Sequence, residues 1–272
     1  MSPPAVLLMG AGRMGSALLE GWLGGHALRG APIVLEPKPS DALAGLGREG
    51  FIHLNPLVGP QPGSCPDIAV IAVKPQTLEA GLPSLVPWLG PETAVLSIAA
   101  GKPIAYFQKA LGLGRRIVRA MPNTPAAIGQ GMTVACGSEG LTFALQEQAC
   151  ALLRAVGDVA WIEDEGLMDA VTAVSGSGPA YVFLLAEALA EAGVAAGLAP
   201  ALAQRLARRT VAGAGALLAV RSEEPSTLRI EVTSPGGTTE AALSVLMADP
   251  GLKALMVRAV EKATARSRAL AG

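Results

Sequence analysis

A chain of 272 residues, 51% apolar and only 16% charged, is long enough for two domains with a core that needs no disulfide or metal, and its three scattered cysteines suit a reducing cytoplasm. A net charge of −1, with no Lys or Arg run longer than two, excludes a basic field for phosphate backbones, so nucleic acid is not an expected partner. Uncharged stretches such as 120–138 are broken by Pro, Asn and Gly, so no membrane span is expected, and two histidines, His26 and His53, are too few for a Cys/His metal site.

In chain order, short β-branched runs predict strands at residues 5–9, 33–36, 68–72, 94–98, 117–120, 132–135 and 159–162. Leu and Ala spacing predicts sheet-packed helices between them, notably at 14–23, 41–49 and 141–155. The run 5–9 lacks a basic flank and reads as a strand, not a signal peptide. Pro and Gly crowd residues 55–66, an expected mobile loop, and both histidines fall in expected surface connections between helix and strand. Such alternation is the signature of a parallel sheet flanked by helices.

After Glu163 the pattern is helical to the end, which places a domain boundary at Ile162. Over 180–192 charge is confined to Glu187 and Glu191, so this helix is expected to be buried on most sides. The last helix is expected to carry Asp249 as its cap and Pro250 at its first position. It sets Leu252, Leu255, Met256, Ala259, Val260 and Ala263 on one face. An almost wholly apolar helix in a small helical domain suits an intertwined homodimer, with a compact monomeric bundle as the alternative.

Chemistry enters at Gly10-Ala11-Gly12-Arg13-Met14-Gly15, between the first strand and the first helix. Glycines there let backbone approach a pyrophosphate, and the helix N-terminus offers unpaired N–H groups to its charge. Glu36, 21 residues past Gly15, suits the ribose hydroxyls of NAD, whereas Arg13 and Lys38 suit the 2′-phosphate of NADP, so the residues leave that choice open. Ala72-Val73-Lys74-Pro75-Gln76 and Ile98-Ala99-Ala100-Gly101-Lys102 follow later strands and should border the nicotinamide half of the cofactor. Two further loops, Ser175-Gly176-Ser177-Gly178-Pro179-Ala180-Tyr181 and Val232-Thr233-Ser234-Pro235-Gly236-Gly237-Thr238-Thr239, join glycines and hydroxyls to helix starts. Each reads as an uncharged cradle for a small carboxylate or, more plainly, as a pair of helix caps.

With Met121-Pro122-Asn123-Thr124-Pro125 added, these motifs resemble the pyrroline-5-carboxylate reductases over the whole length, the Val232–Thr239 loop most specifically. Arg13 stands where that family often has Asn or Gln, and Met247 where an acidic or amide residue is usual. The resemblance implies reduction of the cyclic imine 1-pyrroline-5-carboxylate to L-proline by NADH or NADPH. It implies a carboxylate site at Ser234, Gly236, Gly237 and Thr238, and a Thr239 hydroxyl reaching the ring nitrogen as the catalytic group. It also implies a site shared between one subunit's nucleotide domain and the dimer partner's helices, often within a decamer of five dimers. The expected cofactor set is Met9, Gly10, Ala11, Gly12, Arg13, Met14, Gly15, Glu36, Lys38, Asn55, Ala72, Val73, Lys74, Pro75, Ala99, Ala100 and Gly101, with no metal. The expected fold is α/β: an N-terminal Rossmann-type doubly wound sheet over residues 1–162 and an all-helical substrate and dimerisation domain over 163–272. Rival readings are a reductase of another cyclic imine or of a 2-hydroxy acid, and a nucleotide-sensing module without a substrate loop.

Overall fold

The computed structural model of the chain describes residues 2–25, 27–55 and 65–271. The expectation for His26, and most of that for the 55–66 loop, lies outside the described residues.

An eight-stranded sheet is built from β1 (Val6–Met9), β2 (Ile33–Leu35), β3 (His53–Leu54), β4 (Ile68–Ile71), β5 (Ala94–Ser97), β6 (Ile117–Met121), β7 (Gly131–Gly137) and β8 (Gly157–Trp161). Its order is β3-β2-β1-β4-β5-β6-β7-β8. All neighbours are parallel except β6 and β7. Around it lie α1 (Arg13–Gly24), α2 (Asp41–Arg48), α3 (Pro75–Leu85), α4 (Ile104–Leu111), α5 (Phe143–Arg154) and the short α6 (Met168–Val171).

Side-chain alternation along β1 divides the core in two. Val6 and Leu8 join Leu18, Leu19, Trp22 and Leu152 on one face, while Leu7 and Met9 join Leu78, Leu85 and Phe107 on the other. The buried Trp22 indole donates to Leu152 O at 2.8 Å, and at Gly21 a Cβ would lie 2.6 Å from Ala155 O, so α1 can reach the end of α5 only through glycine.

Strand β3 was not expected. It is two residues long and borders the Pro- and Gly-rich stretch, so no alternation can reveal it. His53 therefore sits on an edge strand, its N–H on Pro32 O, and not in a connection.

The compact units are Met1–Gly176 with Thr264–Gly272, and Ser177–Ala263. Strands end at Trp161, near the expected boundary at Ile162, but the packing boundary comes later. Met168 and Ala173 are buried and keep the intervening segment with the first unit. The second unit holds α7 (Gly178–Ala195), α8 (Pro200–Val220), α9 (Pro225–Glu231), α10 (Thr238–Leu246) and the start of α11 (Leu252–Ala271).

Two expectations for these helices are corrected. Asp249 and Pro250 precede α11 without capping it, because Leu255 N–H bonds Gly251 O and makes Gly251 the last residue outside the helix. The α7 helix has no buried residue within the chain, with Phe183 67% and Leu184 62% exposed. The helical run Glu165–Ala195 is by length and composition apolar enough to cross a membrane.

Cys136 and Cys150 are buried and all three cysteines are free. Burial, reinforced by the Glu165 carboxylate, pushes the Cys136 thiol from 9.0 up to about 11, and burial raises Cys150 as well. Neither thiol should react with a disulfide reagent at neutral pH until the chain unfolds. A thiol pKa raised by folding lends stability that is complete below pH 9 and lost as pH rises toward 11. Denaturation midpoints measured from pH 8 to 11 should fall less steeply for Cys136→Ala than for the wild type.

Candidate functional site

The chain runs outward from β1 through β2 to β3, then returns to lay β4 on the other side of β1. That reversal leaves a crevice beyond the carboxyl ends of β1 and β4, where open α/β sheets take their ligands. A cavity of about 770 Å³ lies there. Met9, Gly10, Gly12, Glu36, Lys38, Asn55, Ala72, Val73 and Lys74 border it.

The glycines of the first turn have separate physical reasons. Gly10 turns with φ +92°, and a Cβ on it would lie 2.6 Å from Val73 Cγ1. A Cβ on Gly15 would strike Gly10 O. At Gly12 nothing lies within 4 Å, so its surface is open, and α1 begins there without a side-chain cap. Bare N–H groups, a close backbone and the positive end of α1 fit a pyrophosphate.

Glu36 is held before any ligand arrives. Its Oε2 accepts from Ala11 N–H at 2.9 Å and its Oε1 from Lys38 N–H at 3.0 Å. The Asn55 carboxamide bonds the Glu36 backbone in both directions, at 2.8 and 2.6 Å.

Other expected cofactor residues lie off this wall. Ala11 acts through its N–H on Glu36, Arg13 is exposed at the start of α1, Met14 packs on the core, and Gly15 is buried under Gly10. Pro75 opens α3. Ala99 is buried with its N–H on Ser97 Oγ, Ala100 is exposed, and Gly101, at φ +74°, faces Leu270. The wall also contains residues that were not expected: Leu35, Pro37, Thr77, Ala80, Gly81, Ser84 and Trp88. Thr77, Ala80, Gly81 and Ser84 follow i, i+3, i+4, i+7 spacing along α3, and this stripe of small residues was the available signal.

Two polar links tie down neighbouring segments. Asn123 accepts from Met132 N–H at 2.9 Å and donates to Ser175 Oγ and O, each at 3.3 Å, which anchors the π-helical turn Thr172–Gly176. Glu165 accepts from Ile104 N–H at 2.9 Å and from the buried Arg119 guanidinium at 2.8 Å, fixing the start of α4.

In the second unit the loop ahead of α10 turns at Gly236, φ +70°, and α10 starts without a side-chain cap at Gly237. Ser234, Gly236, Gly237, Thr238 and Thr239 are contiguous here, but two expected donors are engaged. Gly236 N–H donates to Glu240 Oε2 at 2.7 Å, and Gly237 N–H donates to Ser234 O at 3.0 Å. The loop thus already holds one carboxylate, its own. Among the described residues no cluster of three or more His, Cys, Asp or Glu is arranged to hold a metal.

A family model described as pyrroline-5-carboxylate reductase dimerisation matches residues 165–270. A pyrroline-5-carboxylate reductase of Pseudomonas aeruginosa is 41% identical over 100% of this chain and 98% of its own length. One of Methanosarcina acetivorans is 36% identical over 96% of each. Among solved structures, a pyrroline-5-carboxylate reductase from Coxiella burnetii superposes with TM-score 0.90 at 32% identity over 99% of both chains. A pyrroline carboxylate reductase of Plasmodium falciparum with NADP bound superposes with TM-score 0.79 at 28% identity over 100% of both.

The glycine turn can be tested directly. Gly12→Ala adds a methyl to open space at an extended φ of −68°, so thermal stability should hold within about 2 °C while dinucleotide affinity falls roughly tenfold or more. Gly15→Ala strikes the Gly10 carbonyl and should lower the melting temperature clearly, by about 5 °C or more. Melting curves and fluorescence titration with NADPH distinguish the two.

Proposed function

The chain belongs to the pyrroline-5-carboxylate reductase family, and from that premise we propose that it reduces 1-pyrroline-5-carboxylate to L-proline with NADH or NADPH, the last step of proline biosynthesis. The observation that carries this reading is the whole-length likeness, 41% identical across 271 residues. The reduced nicotinamide supplies a hydride to the imine carbon. The chain's own residues bind and orient. Gly10, Gly12 and the start of α1 receive the pyrophosphate, and Glu36 with Lys38 faces the 2′ position of the adenosine ribose.

At the substrate, Ser234, Thr238 and the uncapped start of α10 hold the carboxylate, with Gly236 and Gly237 shaping the turn. Thr239 places its hydroxyl at the ring nitrogen. A protonated imine is already electrophilic, so alignment and charge complementarity suffice, and a chain with two histidines loses nothing by lacking an acid–base histidine there. In functional terms residues 1–162 are the dinucleotide-binding domain and 163–272 the substrate and dimerisation domain. The working form is a homodimer that joins the nucleotide domain of one subunit to the helices of the other, and five such dimers assemble as a decamer. The dimerisation family model over residues 165–270 supports a partner chain on the exposed apolar surface of α7, with no lipid or nucleic acid as partner and the cytoplasm as location.

Oxidation of NADH or NADPH on adding pyrroline-5-carboxylate tests the reaction, and no oxidation with either overturns it. Thr239→Ala should lower turnover roughly 10-fold to 1000-fold with dinucleotide affinity unchanged. Full activity would remove Thr239 from the mechanism.

Sedimentation at micromolar concentration should show a dimer or larger. Phe183→Asp with Leu184→Asp should shift the mass toward about 27 kDa and reduce activity at least tenfold, because a desolvated apolar contact between subunits is lost. A monodisperse 27 kDa species that turns over normally would end the shared-site reading.

A further inference from the structure

Strand β3 pairs only His53 and Leu54 with β2, against Ile33 and Val34, so the regular ladder stops short of Glu36. Asn55 continues it by other means. Its backbone N–H donates to Val34 O at 2.8 Å, its carboxamide oxygen accepts from Glu36 N–H at 2.8 Å, and its carboxamide nitrogen donates to Glu36 O at 2.6 Å. One side chain satisfies both backbone polar groups of Glu36. It does so from φ +41°, in the left-handed region that Asn tolerates better than most residues. Asp in this place keeps the acceptor and loses the donor, and Ala loses both.

What Asn55 fixes is the base of the Glu36 side chain. From that base the carboxylate reaches two backbone donors at once, Ala11 N–H through Oε2 and Lys38 N–H through Oε1. Each carboxylate oxygen still has a second lone-pair site, so the group can accept from a ribose hydroxyl pair without giving up its anchors. A 2′-phosphate brings charge near −2 against a carboxylate that cannot swing aside without breaking both. A Glu36 loose at its backbone could move away and leave the phosphate to Lys38, which borders the same cavity.

We infer that Asn55 is a positioning residue for coenzyme selection: it acts through Glu36, holding the carboxylate at the 2′ position and so favouring NADH over NADPH. This rests on the reading above that the cavity takes NAD(P)H with Glu36 at the ribose.

The test is the ratio of kcat/KM for NADH to that for NADPH, measured with one substrate batch in wild type, Glu36→Ser, Asn55→Ala and the double variant. Glu36→Ser should move the ratio toward NADPH by about tenfold or more, and Asn55→Ala by roughly three- to tenfold in the same direction. The double variant should match Glu36→Ser alone, since Asn55 then has nothing to position. The inference is overturned if Asn55→Ala lowers kcat/KM for both coenzymes alike, or if its ratio shift persists undiminished without Glu36. A ratio unmoved by Glu36→Ser overturns it too, by showing that Glu36 does not read the ribose.

Equilibrium binding of the two coenzymes, followed through Trp88 on the cavity wall, gives the same four-way comparison without substrate. If the imine is not reduced, the proposed reaction fails while the binding ratios still decide the role of Asn55. Should Asn55→Ala not fold, the neutral Asn55→Ser carries the comparison.

Discussion

At the carboxyl end of β1 the backbone turns at Gly10 so tightly that a Cβ would sit 2.6 Å from Val73 Cγ1 and 3.0 Å from Ala72 O. Five residues on, Gly15 lies so close to the Gly10 carbonyl that no side chain fits between them. This three-way approach of strand end, helix start and the β4 loop sets where α1 begins and how near its bare N–H groups come to the crevice. Glu36 depends on it as well, because the donor to its Oε2 is the N–H of Ala11, between two glycines of the same turn. A substitution at Gly15 would therefore disturb the start of α1 and the seat of the Glu36 carboxylate together.

How far such features can be read from the sequence depends on length and on what marks them. Strands of four or more residues, such as β1, β4 and β5, show continuous apolar runs and were legible to within a residue or two. The two-residue β3 leaves no periodic signal, and with it went the expectation that His53 lay in a connection. Asp249-Pro250 has the composition of a helix start, yet hydrogen bonding begins at Gly251, because the local preference for a cap does not fix where the chain enters the turn. The glycine turn is legible because backbone geometry dictates its residue type, with Gly10 at φ +92° and no room for a Cβ on Gly15. The α3 wall was not, because Thr77, Ala80, Gly81 and Ser84 are distinguished by lack of bulk. Asn55 is expected to touch the cofactor, but its paired bonds to Glu36 leave no mark in residue type or spacing.

The helical unit shows a different limit. An apolar stripe states that a surface must be covered, but not by what. Residues 180–192 were expected to be buried, and within one chain they are not: α7 leaves Val182, Phe183, Leu184 and Leu185 open. Exposed apolar surface of this kind is common at interfaces between subunits, and a family model described as pyrroline-5-carboxylate reductase dimerisation spans the same residues. A chain with only 16% charge can tolerate such a surface when another subunit shields it.

Carboxylates of both units rest on the same kind of donor. In the first unit the Glu36 carboxylate rests on the N–H groups of Ala11 and Lys38, and in the second the Glu240 carboxylate rests on the N–H of Gly236. Backbone donors fixed by glycine turns and helix starts do here what arginine or lysine does in more highly charged proteins. They are rigid, carry no side-chain entropy to lose, and add no formal charge to the chain. A reaction whose electrophile arrives already activated asks for alignment more than proton transfer, so such neutral, preorganised donors suffice. Glu240 adds one more consequence. Since it occupies Gly236 N–H, any anion that reaches that turn shares the donor with Glu240 or displaces it.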